Sequence, residues 1–290
     1  MKKRTGKKKR MRFLILILVI CLLGSGTAIF VLRPDWRFRA WDLVNSWFDS
    51  VPMERMEYGE EDLAEYSVSD LKREDVLLLI NEEYPVSSQM RPSVSQYKDT
   101  DVIMAEAAME PFSYLSEAVQ EKTGSTLYVR DSYRSLEEQE VVYQEQPDVA
   151  AVPGSSEHMT GLALDVYVAQ YAGYGFLKSD AGQFVNQNCW EYGFIIRYPQ
   201  FRSGDTKIPY EPWHIRYVGR PHAEIIERNN LVLEEYILGM ELGSYYSSCG
   251  YCISRQSGDR IKMPKNVTEL TVSADNTGNW IITGKEEKTE

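Results

Sequence analysis

Histidine and cysteine are scarce in this chain, with three and four residues among 290. Four cysteines are too few for a disulfide scaffold. Cys249 and Cys252 form a lone Cys-Gly-Tyr-Cys with no second pair to complete a structural zinc site. The strand-to-helix setting that redox chemistry would need is not expected around them. They read as a local disulfide or as two ordinary thiols, and Cys189 as a core residue. No internal repeats occur. Basic side chains are also sparse beyond the N-terminus. Eight of the 32 Lys and Arg residues lie within residues 1–12, which leaves 24 against 43 Asp and Glu, a body near −19. Phosphate binding needs a basic face, so nucleic acid is excluded as the main partner.

Long apolar runs are missing except for one. Phe13 to Leu32 is a 20-residue stretch without a charge, long enough to span a bilayer as a helix. The basic cluster before it, against only Arg33, Arg37 and Arg39 just after it, places the N-terminus in the cytoplasm and the body outside. A cleaved signal peptide is the alternative, because Gly24, Ser25, Gly26 and Ala28 are small. The run continues through Ile29, Phe30, Val31 and Leu32, so we read an uncleaved anchor.

The remaining length holds a substantial core and one small extra module. Trp36, Ala40, Leu43 and Trp47 recur at helical spacing beside Arg37 and Arg39, which suits a headgroup-zone helix or a packed helix at the domain edge. Residues 50–70 are acidic and polar and read as a spacer. Val76 to Ile80 suggests a buried strand. Asp101 to Glu121 reads as a helix that Pro111 splits or kinks. Short strands are expected at 126–129, 162–168, 194–197 and 214–218, and helices at 136–144, 182–191, 223–228 and 231–238. Val267 to Thr283 reads as two strands joined at Asp275-Asn276-Thr277-Gly278; two strands alone are marginal, so the piece must dock on something.

The expected fold is therefore α+β, a small antiparallel or mixed sheet with flanking helices holding a single zinc site. An N-terminal transmembrane helix precedes it and a C-terminal β-hairpin segment follows. The expected divisions are a cytoplasmic basic tail (1–12), an anchor (13–32), a juxtamembrane helix and spacer (33–70), a zinc domain (71–238) and an extension (239–290).

Two short stretches carry the chemistry. The first runs from Ser156 to Asp165 and the second is Glu211-Pro212-Trp213-His214. His158, Asp165 and His214 make a three-ligand zinc set that leaves a fourth tetrahedral position open. Glu211, three residues before a proposed ligand, is placed to take a proton from water. Gly161 allows a tight turn. Any one of these residues alone reads as ordinary core or surface; their density reverses that. His222 follows Pro221 and reads as a local cap or surface residue. Trp213 reads equally as a pocket wall or core packing. Asp131 could orient Arg134 or cap a turn.

Ser156, His158, Gly161, Ala163 and Asp165 reproduce a Ser-x-His-x-x-Gly-x-Ala-x-Asp signature, and Glu211 and His214 its Glu-x-x-His partner. The chain thereby resembles the zinc D-alanyl-D-alanine carboxypeptidases of the VanY type, relatives of the D-Ala-D-Ala dipeptidases. The likeness covers about residues 75–237 and extends to Tyr133-Arg134-Ser135 with Gln139 and to Asn81-Glu82-Glu83-Tyr84-Pro85. Met159 departs from it, standing where a polar residue is common. The resemblance implies one zinc ion on His158, Asp165 and His214, with Glu211 as general base. It implies that Arg134 meets the developing oxyanion or the substrate carboxylate, and that Ser156 and Gln139 touch the substrate's C-terminal end. The implied partner is a peptidoglycan stem peptide or its lipid-linked precursor. The implied place is the outer side of a bacterial cytoplasmic membrane, with a single-pass anchor and the N-terminus inside. The competing readings are a D-Ala-D-Ala dipeptidase, another wall endopeptidase with the same zinc set, and a non-catalytic wall-binding module.

Overall fold

The computed structural model describes residues 33–45, 50–87, 90–147 and 150–287. The apolar run at 13–32 and Trp47 lie outside the described residues; among the described residues no helix is long and apolar enough to cross a membrane. In chain order the elements are helix α1 (Pro34–Asn45), strands β1 (Glu54–Met56), β2 (Leu63–Ser67), β3 (Lys72–Arg73), β4 (Val94–Gln96) and β5 (Ile103–Ala105), and helix α2 (Glu106–Thr123). Strand β6 (Tyr128–Asp131), helix α3 (Leu136–Glu145), strand β7 (Ala163–Tyr167), helix α4 (Asp180–Asn188), strands β8 (Phe194–Ile196) and β9 (His214–Tyr217), and helices α5 (His222–Arg228) and α6 (Leu233–Leu238) follow. The chain closes with β10 (Tyr245–Ser248), β11 (Tyr251–Gln256), β12 (Arg260–Pro264), β13 (Val267–Ala274) and β14 (Trp280–Glu286).

A four-stranded antiparallel sheet, in the order β6-β7-β9-β8, forms the centre. Apolar residues alternate across its pleat and build a core on each face. Leu164, Val166, Phe194 and Ile215 pack with Ala108, Phe112, Leu115 and Val119 of α2 and with Ala181 and Val185 of α4. Ile195 faces the other cluster, with Ile225 and Ile226 of α5 and Leu233 and Ile237 of α6. Helix α2 runs through Pro111 without a break. The hydrogen bond that Pro111 cannot make leaves the carbonyl of Ala107, which is exposed, so water can take it.

Val76 to Ile80 is buried but is not a strand. Side chains and a turn satisfy its backbone in place of a ladder. Arg216 donates to the carbonyls of Val76 and Leu78, Leu77 N–H to Ser273 Oγ, and Leu79 N–H to the Asp275 carbonyl. A short apolar run looks the same in sequence under either arrangement.

Residues 50–70 are not a spacer. Strand β1 pairs with β10, β2 with β12 and β3 with β13, so residues 54–73 build a β module with residues 245–286. Its six-stranded sheet runs β1-β10-β11-β14-β13-β3. Strand β2 is only half-buried along its length, and that partial burial tolerates the acidic composition that reads as linker. The hairpin turn after β13 docks on the central domain: Asn276 Nδ2 donates to the carbonyls of Leu79, Tyr84 and Pro85 at 3.0–3.2 Å. Cys249, in the β10–β11 turn, and Cys252, on β11, are free thiols, and Cys189 is buried.

Helix α1 lies against the central domain. Phe38 and Asp35 are buried, whereas Trp36 is half-exposed. Arg39 hydrogen-bonds the Gln200 side chain, accepts at its carbonyl from Gln200 Nε2 (3.2 Å), and sits 5.1 Å from the Tyr210 ring centroid.

Candidate metal centre and active site

Three elements converge on one point. His158 stands in a one-turn 3-10 helix, Glu157–Thr160, just before β7. The turn closes at Gly161, whose φ is +71°. A Cβ there would meet Val94 Cγ1 at 2.6 Å and the Ala105 backbone nitrogen at 2.9 Å, so both conformation and space require glycine. Asp165 on β7 and His214, the first residue of β9, are direct cross-strand partners. Such partners point to one face with their Cβ atoms about 5 Å apart.

His214 Nδ1 lies 3.0 Å and His158 Nε2 3.6 Å from Asp165 Oδ1, and the two imidazole centroids are 5.0 Å apart. One ligand atom from each of the three residues falls within 4.8 Å of the others. The Ser132 carbonyl lies 2.9 Å from His158 Nδ1. A carbonyl only accepts, so Nδ1 carries the proton and Nε2 presents its lone pair to the site. Asp165 Oδ1 is buried and accepts no well-directed hydrogen bond among the described residues, although two ring nitrogens crowd it. Three such atoms meeting at one point could hold a cation between them. Two imidazoles and a carboxylate are borderline donors that suit zinc.

Burial opposes a charged His214 ring, but the Asp165 and Glu157 carboxylates outweigh it and raise its pKa to about 10. The same carboxylates that attract a proton here would attract a metal dication in its place. Glu211 Oε2 lies 3.7 Å from His214 Nδ1. Burial, joined by the Asp165 charge, raises the Glu211 carboxyl above its usual range against the pull of the two histidines. Its backbone is fixed at both ends, N–H to the Tyr198 carbonyl (3.0 Å) and C=O from His214 N–H (3.1 Å).

Arg134 reaches the site from the loop after β6. Its backbone N–H donates to the His158 carbonyl at 3.2 Å. Its guanidinium donates to Gln139 Oε1 at 2.6 Å and pairs with Asp131, whose Oδ1 also accepts from Ser132 N–H. Asp131 thus does both things expected of it. Gln139 supports that arginine. It is fully buried, and both ends of its amide are engaged, Oε1 by Arg134 and Nε2 by the Ala151 carbonyl (2.6 Å). It braces Arg134 against the Ala151 backbone. Ser156 is buried at the start of the His158 turn.

His222 is not a surface cap. It is buried, with Nδ1 2.7 Å from the Tyr236 hydroxyl and Nε2 3.1 Å from Thr283 Oγ1, and burial lowers its pKa to about 3. It ties α5 to β14. Trp213 is half-buried on the α2-side core, its edge meeting the exposed Tyr174 ring at 4.8 Å. Two residues not singled out in the sequence also border the site. The Tyr198 ring packs 4.9 Å from His214, and Glu157 lies beneath that histidine. Glu157 occupies an unspecified position of the signature, so only its burial reveals it.

Residues 101–220 match the VanY family model, described as D-alanyl-D-alanine carboxypeptidase. A D-alanyl-D-alanine carboxypeptidase of Enterococcus faecium is 33% identical over 249 residues, covering 79% of this chain and 78% of that protein. A bifunctional D-Ala-D-Ala dipeptidase and carboxypeptidase of Enterococcus gallinarum, VanXYC, is 34% identical over 183 residues, 56% of this chain and 93% of its own. Among solved structures, a variant of the D,D-pentapeptidase VanY from a VanB-type resistance cassette, in complex with Zn(II), superposes with a TM-score of 0.51 at 28% identity. It covers 56% of this chain and 99% of that one.

Proposed function

This chain belongs to the VanY family of D-alanyl-D-alanine carboxypeptidases, and from that membership and the geometry of the site we propose that it removes the terminal D-Ala from stem peptides ending in D-Ala-D-Ala. The observation that carries the reading is the convergence of His158, Asp165 and His214, with the Glu211 carboxylate 3.7 Å from a ligand nitrogen. One zinc ion held by those three residues would supply Lewis acidity, lowering the pKa of water toward about 7 and polarising the scissile carbonyl.

The chain's own residues supply the rest. Glu211 accepts a proton as water oxygen bonds to the carbonyl carbon, then delivers it to the amine nitrogen as the C–N bond breaks and D-Ala leaves. Its raised pKa suits an acceptor that must also donate. Arg134, braced by Gln139 and Asp131, faces the negative charge of the tetrahedral oxygen or of the terminal carboxylate. A cavity of about 300 Å³ bordered by Tyr84, Ser155, Tyr198 and Lys207 adjoins the site through Tyr198, whose ring packs against His214.

Purified protein assayed for D-Ala release from a D-Ala-D-Ala-ended pentapeptide tests the proposal. Release abolished by chelator and restored by zinc is expected; no release would refute it. Dipeptidase action is the second reading, favoured by the bifunctional relative. Free D-Ala-D-Ala in the same assay separates the two. A non-catalytic wall-binding role would leave both substrates intact, and the presence of Glu211 beside the ligand set argues against it.

Arg134→Ala is expected to lower kcat on the order of 10²–10³-fold while zinc content stays at the wild-type level. An unchanged kcat would remove Arg134 from the reaction.

For location, we infer a single-pass anchor at residues 13–32 with the catalytic domain outside the cytoplasmic membrane. Helix α1 begins directly after that stretch and docks on the domain through Arg39, which would hold the peptidase close to the lipid surface. The full chain should stay with membranes through an alkaline carbonate wash and be open to protease added to intact protoplasts. A chain recovered in the wash, or shielded from the protease, would overturn this.

A further inference from the structure

Two buried polar atoms beside the metal set have no hydrogen-bond partner among the described residues: His214 Nε2 and Glu157 Oε2. They lie 3.8 Å from each other. The other oxygen of Glu157 is fully committed. Oε1 accepts from Arg197 Nε at 2.6 Å and from Arg216 Nη1 at 2.7 Å. Both arginines are themselves buried and anchored. Arg197 binds Glu234 through two nitrogens at 2.6 and 2.9 Å, and Arg216 donates to the Val76 and Leu78 carbonyls. The Glu157 carboxylate is thus held from behind, with one oxygen left over on the side of the ligand histidine.

A neutral imidazole that ligates through one nitrogen carries hydrogen on the other, and that N–H needs an acceptor when buried. His158 finds its acceptor in the Ser132 carbonyl. His214, with Nδ1 in the ligand set, has no hydrogen-bond partner at Nε2 among the described residues, and Glu157 Oε2 lies 3.8 Å from it. We propose that Glu157 is a positioning residue of the metal centre, whose carboxylate accepts the Nε2–H of His214 and so holds the ring with Nδ1 toward the metal. The separation exceeds a hydrogen bond by about 1 Å, and neither atom has a competing partner among the described residues. The inference rests on the zinc reading above and adds a residue to it.

Glu157 also neutralises two buried arginines, so the test must separate positioning from bulk stability. Glu157→Gln keeps the shape but not the acceptor pattern. With its oxygen toward the arginines, its amide meets the His214 N–H donor to donor; turned round, it meets the guanidiniums donor to donor. Zinc affinity is measured by competition with a chromophoric chelator, and the visible spectrum is taken with Co(II) in place of zinc. The expected result is a dissociation constant raised on the order of 10–100-fold and a shifted Co(II) spectrum. Where the Gln variant does not fold, Glu157→Asp keeps the charge for the arginines and withdraws the carboxylate by one methylene; the same two changes are expected of it. A variant with a lower thermal midpoint but wild-type zinc affinity and Co(II) spectrum would make Glu157 structural only and overturn the proposal. Wild-type protein that binds zinc yet releases no D-Ala would remove the peptidase reading and leave this one intact.

Discussion

Glu211→Gln yields a folded, zinc-loaded protein whose D-Ala release is slower on the order of 10²–10⁴-fold, the share of a barrier that general acid–base transfer carries. Three features of the site separate this effect from misfolding. The Glu211 backbone, not its side chain, holds the turn, through N–H to the Tyr198 carbonyl and C=O from His214 N–H. Gln has nearly the same volume, so the packing beside Tyr198 and His214 persists. The three proposed ligands lie on other residues, so zinc stoichiometry is expected to stay at one. Only the ability to take and return a proton is lost. Glu211→Asp keeps that ability but draws the carboxylate back by one methylene, and displacements of about 1 Å already cost on the order of 10²-fold. An intermediate rate is therefore expected for Asp. Wild-type turnover in the Gln variant, with zinc retained, would remove Glu211 from proton transfer.

Local chemistry was legible in the sequence wherever a residue's environment is set by its neighbours along the chain. The tight turn at Gly161 and the strand carrying Asp165 lie within a few residues of each other, as do Glu211 and His214, and the structure has each. The helix at 136–145 begins at Ser135, which caps it in a box with Glu138, a short-range signal. What escaped was set at long range. Asp165 and His214 are cross-strand partners 49 positions apart, a register that spacing alone does not show. Val76 to Ile80 is apolar enough for a strand, yet Arg216, Ser273 and the β13–β14 turn satisfy its backbone from distant parts of the chain. The acidic stretch at 50–70 reads as linker because its partners, β10 and β12, lie nearly 200 residues away. The partners of Gln139 and the burial of His222 escape the sequence for the same reason. The two side chains are spent on Ala151, Tyr236 and Thr283, contacts that only burial exposes.

Chelation is expected to stop D-Ala release and also to lower the melting temperature, and the second readout identifies the ligands independently of catalysis. A ligand present at about 1,000 times its dissociation constant stabilises the folded state by about 4 kcal/mol, which in a domain of this size corresponds to roughly 10 °C. The stabilisation has a visible source here. Asp165 Oδ1 and two imidazole nitrogens crowd within 3.0–3.6 Å in a buried site, an arrangement that a dication relieves. His158→Ala removes one of the three donors and leaves the Ser132 carbonyl without its ring partner. That variant is expected to carry no zinc after dialysis and to release no D-Ala. Its melting temperature should be reduced and should no longer respond to chelator. The absent response is the decisive measurement, because a merely destabilised protein that still held zinc would melt lower again when the metal was withdrawn. Full zinc content in His158→Ala, or an undiminished response to chelator, would mean that the metal sits elsewhere and that the convergence of His158, Asp165 and His214 is not its site.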